Sequence, residues 1–193
     1  MYMKIMEAVN ILDEWDSRGR YFFNTGDLAA LLGERGRTLE GTLRRLRSAK
    51  VLESPVRGVH LYRPQRRPAT INLEAIARVL RRSDVVYESL ESALSQWGAI
   101  SQIPMSYLSV MTTGREGTYR TPYGTLELTH TARAEESFRD ELINRPEHLI
   151  PIASPRLAYE NLRDTRRNIE LVDMDELEEI IEEHETARKG EGR

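Results

Sequence analysis

The chain has 193 residues, of which 39% are hydrophobic and 31% are charged, a composition typical of a globular protein with one large core or two small ones. It contains no cysteine, which excludes a disulfide framework and a thiolate metal site. No apolar run approaches the ~18 residues of a membrane span, and the first twenty residues lack a small-residue cleavage site. We therefore expect a cytoplasmic protein without a signal peptide or a membrane partner.

The net charge of −3 combines two regions of opposite sign. Residues 1–68 carry a net charge of +5, whereas residues 131–193 carry a net charge of −7. Such an asymmetry suggests two parts of the protein with different partners. The stretch Arg63–Asn72 contains two prolines, which disfavour helix at the residues before them, and it has no apolar periodicity. We predict a linker there and two domains, 1–68 and 69–193.

The first 63 residues predict three helices and a hairpin. Thr25 and Thr38 are placed to cap the second and third helices, and Gly33 is placed to end the second. The predicted order is a helix from Ile5 to about Gly19, a short apolar run at Tyr21–Phe23, a helix over Gly26–Leu32, a helix over Leu39–Ala49, and strands at Val51–Glu53 and Gly58–Tyr62. This order is typical of a winged helix-turn-helix.

The third predicted helix separates apolar from basic residues. Leu39, Leu43 and Leu46 fall on one face at about 100° per residue, and arginines project from the other side. A helix fits the DNA major groove, where arginine can bind guanine or phosphate through two parallel hydrogen bonds. Gly41 would allow a close backbone approach, and Arg57 would reach phosphates from the hairpin turn. The candidate DNA-binding residues are Arg37, Thr38, Gly41, Arg44, Arg45, Ser48, Arg57 and Arg63.

The expected partner is double-stranded operator DNA. Repressors commonly pair two half-sites, so we expect two copies on an inverted repeat, with a homodimer on DNA as one such arrangement. Binding should weaken steeply with salt, since each neutralised phosphate releases counterions. Two other interpretations stay open. The basic helix could be only a solvated face of a three-helix core, and the winged helix could serve a protein–protein adaptor or a transcriptional regulator with no further role.

The rest of the chain predicts an α+β domain with segregated helices and strands. Three β-like runs with glycine-containing turns between them suggest an antiparallel meander. The predicted elements are a helix near Leu73–Leu80, a strand at Val85–Tyr87, a helix from Ser89 to Gly98, strands at Tyr107–Thr112, Gly117–Arg120 and Thr125–Thr131, a helix at Glu135–Leu142, an extended segment at His148–Ile152, a helix at Pro155–Arg163, an extended segment at Ile169–Val172, and an acidic helix at Asp173–Glu185.

Two stretches of this second part resemble a known family. ESLESALSQWGAISQIP, Glu88–Pro104, and VMTTGREGTYRTPYGTLELTH, Val110–His130, are similar to the C-terminal domain of AbiEi-type antitoxins of type IV toxin–antitoxin systems. The basic helix and RGVHLY at the hairpin also fit that family, so the resemblance covers most of residues 1–172. It implies a DNA-binding autorepressor that counteracts an AbiEii-type nucleotidyltransferase toxin and needs its C-terminal domain to do so.

The sequence gives little support for an enzyme. The GREG and TPYG turns lack the lysine of a phosphate-binding loop. Glu127, Asp140 and Glu141 could be nuclease carboxylates for a hard cation, but the lysine usual beside such groups is missing. The four histidines lie far apart in the chain and show no metal-ligand spacing. We therefore expect no catalytic residues, no metal and no cofactor.

Overall fold

A computed structural model describes residues 3–63, 73–101 and 106–191 as a mixed α+β protein with two sheets. Its contacts divide into two compact units. The first unit comprises Met1–Leu80 and Thr121–Tyr123, and the second comprises Arg81–Arg120 and Gly124–Arg193.

Among its described residues, the first unit contains four helices and a three-stranded antiparallel sheet. The strands lie in the order β1-β3-β2, and β2 and β3 make a hairpin that turns at Arg57 and Gly58. The elements are α1 (Ile5–Ser17), β1 (Phe22–Asn24), α2 (Thr25–Leu32), α3 (Gly36–Ser48), β2 (Leu52–Val56), β3 (Val59–Tyr62) and α4 (Leu73–Leu80).

The start of α2 lies one residue earlier than predicted, because Asn24 rather than Thr25 caps it. The Asn24 side chain accepts a hydrogen bond from the Asp27 backbone N–H at 2.7 Å, and the Asp27 carboxylate accepts one from the Asn24 N–H at 3.0 Å. This reciprocal capping box satisfies two donors that the helix itself leaves free. The predicted end is confirmed, since Gly33 follows α2 in the left-handed conformation with φ 63°.

The helix α3 begins at Gly36, two residues before the predicted cap Thr38. Arg35 occupies the cap position and makes no side-chain capping bond, so Thr38 lies inside the first turn. The predicted apolar face is confirmed, because Leu39, Leu43 and Leu46 are all buried. They pack with side chains of the other helices and of the sheet, including Leu12, Phe23, Leu28, Leu32, Leu52 and Tyr62.

The helix α4 belongs by its contacts to the first unit, where it packs against β1 and β3. The boundary predicted between residues 68 and 69 therefore moves to Leu80 and Arg81 in this division. The apolar face predicted for this helix is the reason, since Leu73, Ile76 and Ala77 are buried. Nearly all of the predicted linker lies outside the described residues.

A buried histidine connects the hairpin to the start of α2. His60, on β3, is only 4% exposed. Its Nε2 lies 3.0 Å from the Thr25 hydroxyl, and its Nδ1 lies 3.1 Å from the Ser54 hydroxyl. Burial, and secondarily the nearby Arg47, lowers the pKa of His60 to about 4, so the ring is neutral at pH 7.

The second unit places its helices against a six-stranded mixed sheet with the order β6-β7-β5-β4-β9-β8. Its strands are β4 (Val86–Glu88), β5 (Tyr107–Thr112), β6 (Gly117–Thr121), β7 (Gly124–His130), β8 (Leu142–Ile143) and β9 (Ile152–Ala153). Its helices are α5 (Leu90–Trp97), α6 (Pro155–Thr165) and α7 (Met174–Glu191).

The predicted antiparallel meander is wrong, although its three strands exist. β5 and β7 pair in parallel, from Tyr107 opposite Thr125 to Thr112 opposite His130, and β6 lies outside β7 at the sheet edge. Gly124 makes this pairing possible. A Cβ there would lie 2.2 Å from the Ser106 carbonyl oxygen, and φ is +130°. The chain can therefore enter the sheet directly beside β5.

Two later predictions also need correction. The helix predicted at Glu135–Leu142 is two separate 3₁₀ turns, Glu135–Ser137 and Arg139–Glu141. The extended segment predicted at Ile169–Val172 contains a 3₁₀ turn, Ile169–Leu171, and only Val172 makes a bridge, to Ile100. Short apolar runs of this kind do not distinguish strand from turn by periodicity.

The acidic helix predicted near the C-terminus is confirmed as α7 and is longer than expected. Its apolar side packs on its own unit, because Leu177 is buried and Ile180 and Ile181 contact the core. His184 lies edge-on to the Trp97 ring at a centroid distance of 5.5 Å. Within the described residues, no helix is long and apolar enough to cross a membrane.

The packing of α7 predicts that Leu177→Ala destabilises the protein by about 2–5 kcal/mol, since it leaves a cavity in the core. Leu177 is 1% exposed. Met174, on the same helix, is 41% exposed, so Met174→Ala should change stability by less than about 0.5 kcal/mol. Urea unfolding of both variants measures the difference. Equal effects of the two substitutions would contradict this packing.

The neutral His60 predicts a pH-dependent stability. Its pKa is about 4 in the folded protein and about 6.5 in the unfolded chain, so stability is full above pH 6.5 and falls as the pH drops towards 4. The His60 ring should therefore lower the free energy of unfolding by about 2 kcal/mol between pH 7.5 and pH 5. Urea unfolding at both pH values should show that loss reduced in His60→Gln and unchanged in a control, His130→Gln, at an exposed site. An unchanged loss in His60→Gln would contradict the assignment.

Candidate nucleic-acid interface

The helix α3 presents a polar, mainly basic surface opposite its leucines. Arg37, Arg44, Arg47 and Ser48 are exposed along it, at spacings that repeat every three to four residues. Glu40 is the one acidic residue of the helix and is exposed on the same side. Because the leucine face is fixed by the core, these side chains are held pointing into solvent.

The arginines of this surface are free to bind a partner. Among the described residues, none forms a hydrogen bond or ion pair with the side chains of Arg37, Arg44 or Arg47, or with that of Arg35 just before the helix. Arginines near the end of α1 differ in this respect. Arg18 pairs with Glu14 at 2.6 Å, and Arg20 pairs with Asp27 at 2.7 Å.

Three of the predicted site residues on α3 lie elsewhere than expected. Gly41 is buried rather than facing solvent, and Thr38 is half-buried. Arg45 is also half-buried, because one of its guanidinium nitrogens donates to the Met3 carbonyl at 3.0 Å and to the Thr42 hydroxyl at 2.9 Å. The contact with Met3, in the segment before α1, accounts for the half-burial of Arg45. Arg45 is thus a structural contact within the unit.

The hairpin adds a further basic group. Arg57 is exposed at its turn and has no hydrogen bond or ion pair with any described residue. Gly58 next to it has φ +86°, which favours glycine, and its carbonyl accepts a hydrogen bond from the Thr25 N–H at 3.2 Å. The turn that carries Arg57 is therefore tied to the start of α2.

Arg63, the last predicted site residue, is exposed but already paired. Its guanidinium lies 3.4 Å from the Glu53 carboxylate on β2. The Tyr123 hydroxyl donates to the same carboxylate at 2.6 Å. Burial first, and then Glu53, raises the pKa of Tyr123 to about 12.

The sequence prediction missed Arg35 and Arg47. A signal for Arg47 was present, since it follows Arg44 by three residues on the same helical face. Arg35 was missed because the start of the helix was placed too late. No periodicity could have indicated Tyr123, which is distant in sequence from the hairpin it contacts.

The second unit contains a separate cluster of charged groups around Arg167. Its guanidinium contacts the carboxylates of Glu91 at 2.9 Å and of Glu127 at 2.9 Å, and it also contacts the Tyr107 hydroxyl. Asn168 donates to Glu91 as well. Arg167 lowers the pKa of Glu127, and burial raises that of Tyr107 to about 12. Every charged group in this cluster has a partner of opposite charge.

The carboxylates proposed for a nuclease site have different partners in the structure. Glu127 belongs to the Arg167 cluster, whereas the Glu141 carboxylate accepts hydrogen bonds from the Ser154 hydroxyl at 2.5 Å and from Arg188 at 2.8 Å. Glu127 and Glu141 are therefore each engaged by an arginine and are not brought together around a common point by these contacts.

Comparisons with known proteins add one finding about the fold. No protein-family model matches the chain, and no curated protein matches it. The fold is similar to that in the crystal structure of the RV2827C protein from Mycobacterium tuberculosis, with a TM-score of 0.52 and 16% sequence identity. The match covers 82% of this chain and 60% of that one, so the chain spans about three fifths of that protein's length. At this identity the similarity establishes the α+β fold alone.

Proposed function

We propose that the protein is a sequence-specific DNA-binding repressor. The observation that carries this proposal is the concentration, on α3 and on the hairpin turn, of exposed arginines that form no hydrogen bond or ion pair with any described residue, namely Arg37, Arg44, Arg47 and Arg57. Free guanidinium groups in a fixed arrangement suit the phosphates and guanine edges of DNA. Phosphate contacts of this kind supply most of the non-specific affinity, and base contacts supply the sequence preference.

The order of elements in the first unit supports a winged helix-turn-helix. In this proposal α2 and α3 are the two helices of the motif, joined by the three residues Gly33–Arg35, and α3 lies in the major groove. The β2–β3 hairpin, called the wing from here on, contacts neighbouring phosphates through Arg57. Arg44 and Arg47 face the bases or the backbone, and Arg45 serves to hold α3 in place.

Two copies of the protein binding an inverted repeat would raise the specificity of so small an interface. We propose that this repeat lies in the operator of the protein's own gene. The resemblance to AbiEi-type antitoxins supports this part and adds a second role, in which the second unit is needed to counteract a nucleotidyltransferase toxin in the cytoplasm. This function requires no catalytic residue in the chain.

A protein–protein adaptor is the alternative function. The acidic outer face of α7 favours it, since Glu178, Glu179, Glu182 and Glu183 are exposed and would repel DNA. The two functions differ in their ligand, so a direct measurement of DNA binding separates them.

The DNA-binding proposal predicts a specific loss in Arg44→Ala. Operator affinity should fall about 5- to 150-fold, which corresponds to the loss of one bidentate contact between an arginine and a base. A matched control is Arg18→Ala, which removes an exposed arginine that directly follows α1 and is paired with Glu14. Gel-shift titration of full-length protein at several salt concentrations measures both. Arg57→Ala should in addition make the slope of log affinity against log salt concentration shallower by about one, since one counterion fewer is released.

Two results would contradict this proposal. The first is an equal affinity of wild type and Arg44→Ala for operator DNA, with the fold intact by circular dichroism. The second is a footprint that covers a single asymmetric half-site saturated by one protein. The first result would remove Arg44 from the DNA interface, and the second would remove the inverted repeat. Absence of operator binding by the wild-type protein would favour the adaptor.

The antitoxin role predicts protection of cells from a cognate nucleotidyltransferase toxin expressed from a separate, unregulated promoter. Repression cannot protect under that arrangement, so survival measures the second unit alone. Arg44→Ala should protect as well as wild type does, because the substitution lies outside the second unit. Failure of wild type to protect, with operator binding intact, would leave a repressor without an antitoxin role.

A further inference from the structure

The wing is held by a segment that is distant in sequence. Tyr123 belongs to the tripeptide Thr121–Tyr123, which the contacts assign to the first unit. Its hydroxyl donates to Glu53 Oε1 on β2 at 2.6 Å. Arg63, which follows β3, pairs with the other carboxylate oxygen at 3.4 Å. Glu53 is thus contacted by two residues, Arg63 just after β3 and Tyr123 from a distant part of the chain.

Glu53 stands where the wing is irregular. The pairing of β2 with β3 shifts its register between Glu53 and Val56, which is a β-bulge. A bulge bends its strand and redirects the side chains beyond it. Ser54 lies inside this bulge and bonds to His60. The direction in which the turn and Arg57 leave the sheet therefore depends on how the bulge is fixed.

We infer that Tyr123 is a positioning residue for DNA binding, which holds Glu53 and with it the bulge that directs Arg57. This inference rests on the proposed function. Tyr123 itself makes no DNA contact in this arrangement. A tyrosine hydroxyl is protonated, and therefore a donor, throughout the physiological range, and the raised pKa of Tyr123 extends that range upwards. A wing fixed before binding loses less conformational entropy when DNA arrives than a mobile one does.

The test is a double-mutant cycle on the full-length protein with operator DNA. Tyr123→Phe removes the hydroxyl and keeps the ring, and we expect it to lower affinity about 3- to 10-fold. In the Tyr123→Phe background, Arg57→Ala should lower operator affinity by a factor at least about 3-fold smaller than in wild type, because both substitutions weaken the same contact of Arg57 with DNA. Arg44→Ala should cost the same in both backgrounds, within about 2-fold.

Two further measurements separate positioning from general stability. Hydroxyl-radical footprinting of Tyr123→Phe should lose protection only at the sugars that Arg57→Ala also exposes. Tyr119→Phe is the matched control. It removes a hydroxyl from the strand β6 that accepts a hydrogen bond from Arg81, and it should leave affinity and footprint unchanged. Urea unfolding of both variants shows whether either one loses its fold.

The outcomes are distinct. Coupling of Tyr123 to Arg57 and not to Arg44 supports the inference. Independent effects on both arginines, or a uniform loss of the whole footprint, overturn the inference and leave DNA binding in place. Coupling to both arginines shows that Tyr123 acts on the fold of the unit as a whole, which also overturns it. Absence of operator binding by wild type overturns the proposed function and the inference with it.

Discussion

Burial of the leucine face of α3 is the constraint on which the first unit depends. A helix of thirteen residues with five arginines on or just before it has a single apolar stripe, Leu39, Leu43 and Leu46. That stripe can be removed from water in one orientation only, so the same packing that stabilises the core fixes the rotation of the helix. Four of these arginines, Arg35, Arg37, Arg44 and Arg47, are then exposed to solvent as a consequence of the core packing, whereas Arg45 is half-buried.

The two units differ in how many of their arginine side chains are paired with carboxylates. In the second unit, most arginines are paired with carboxylates, as in the cluster of Arg167 with Glu91 and Glu127. Glu91 is nearly buried, and loss of its cation would leave an uncompensated charge in the core. On α3, Arg37, Arg44 and Arg47 form no hydrogen bond or ion pair with any described residue, whereas Arg45 is bonded within the unit. A guanidinium can therefore stabilise the fold in one unit and remain available for a ligand in the other.

Much of the first unit could be predicted from the sequence, because its signals are local. The leucine spacing located α3, Gly33 marked the end of α2, and the hairpin turn placed Arg57. The failures arose from competition between neighbours. Asn24 and Thr25 are both good caps, and the choice depended on Asp27, whose carboxylate completes a capping box with Asn24 only.

Other features could not have been read from local patterns. Arg45 is bonded to the Met3 carbonyl, which meets α3 only in the folded protein. The parallel pairing of β5 with β7 depends on the close approach of Gly124 to Ser106. In the sequence, a glycine after Pro-Tyr indicates only a tight turn, and a tight turn is equally compatible with an antiparallel meander. Tyr123 reaches Glu53 across seventy positions of sequence.

The first unit is built from separate stretches of the chain, and this affects how such a protein can change over evolutionary time. Its parts are not one continuous stretch, since α4 follows the predicted linker and Thr121–Tyr123 comes from much later in the chain. A single recombination event between genes at the proline-rich stretch would separate Leu73, Ile76 and Ala77 from the sheet that buries them. New operator preferences would therefore be reached more easily by point substitutions on α3 than by exchange of the whole basic region.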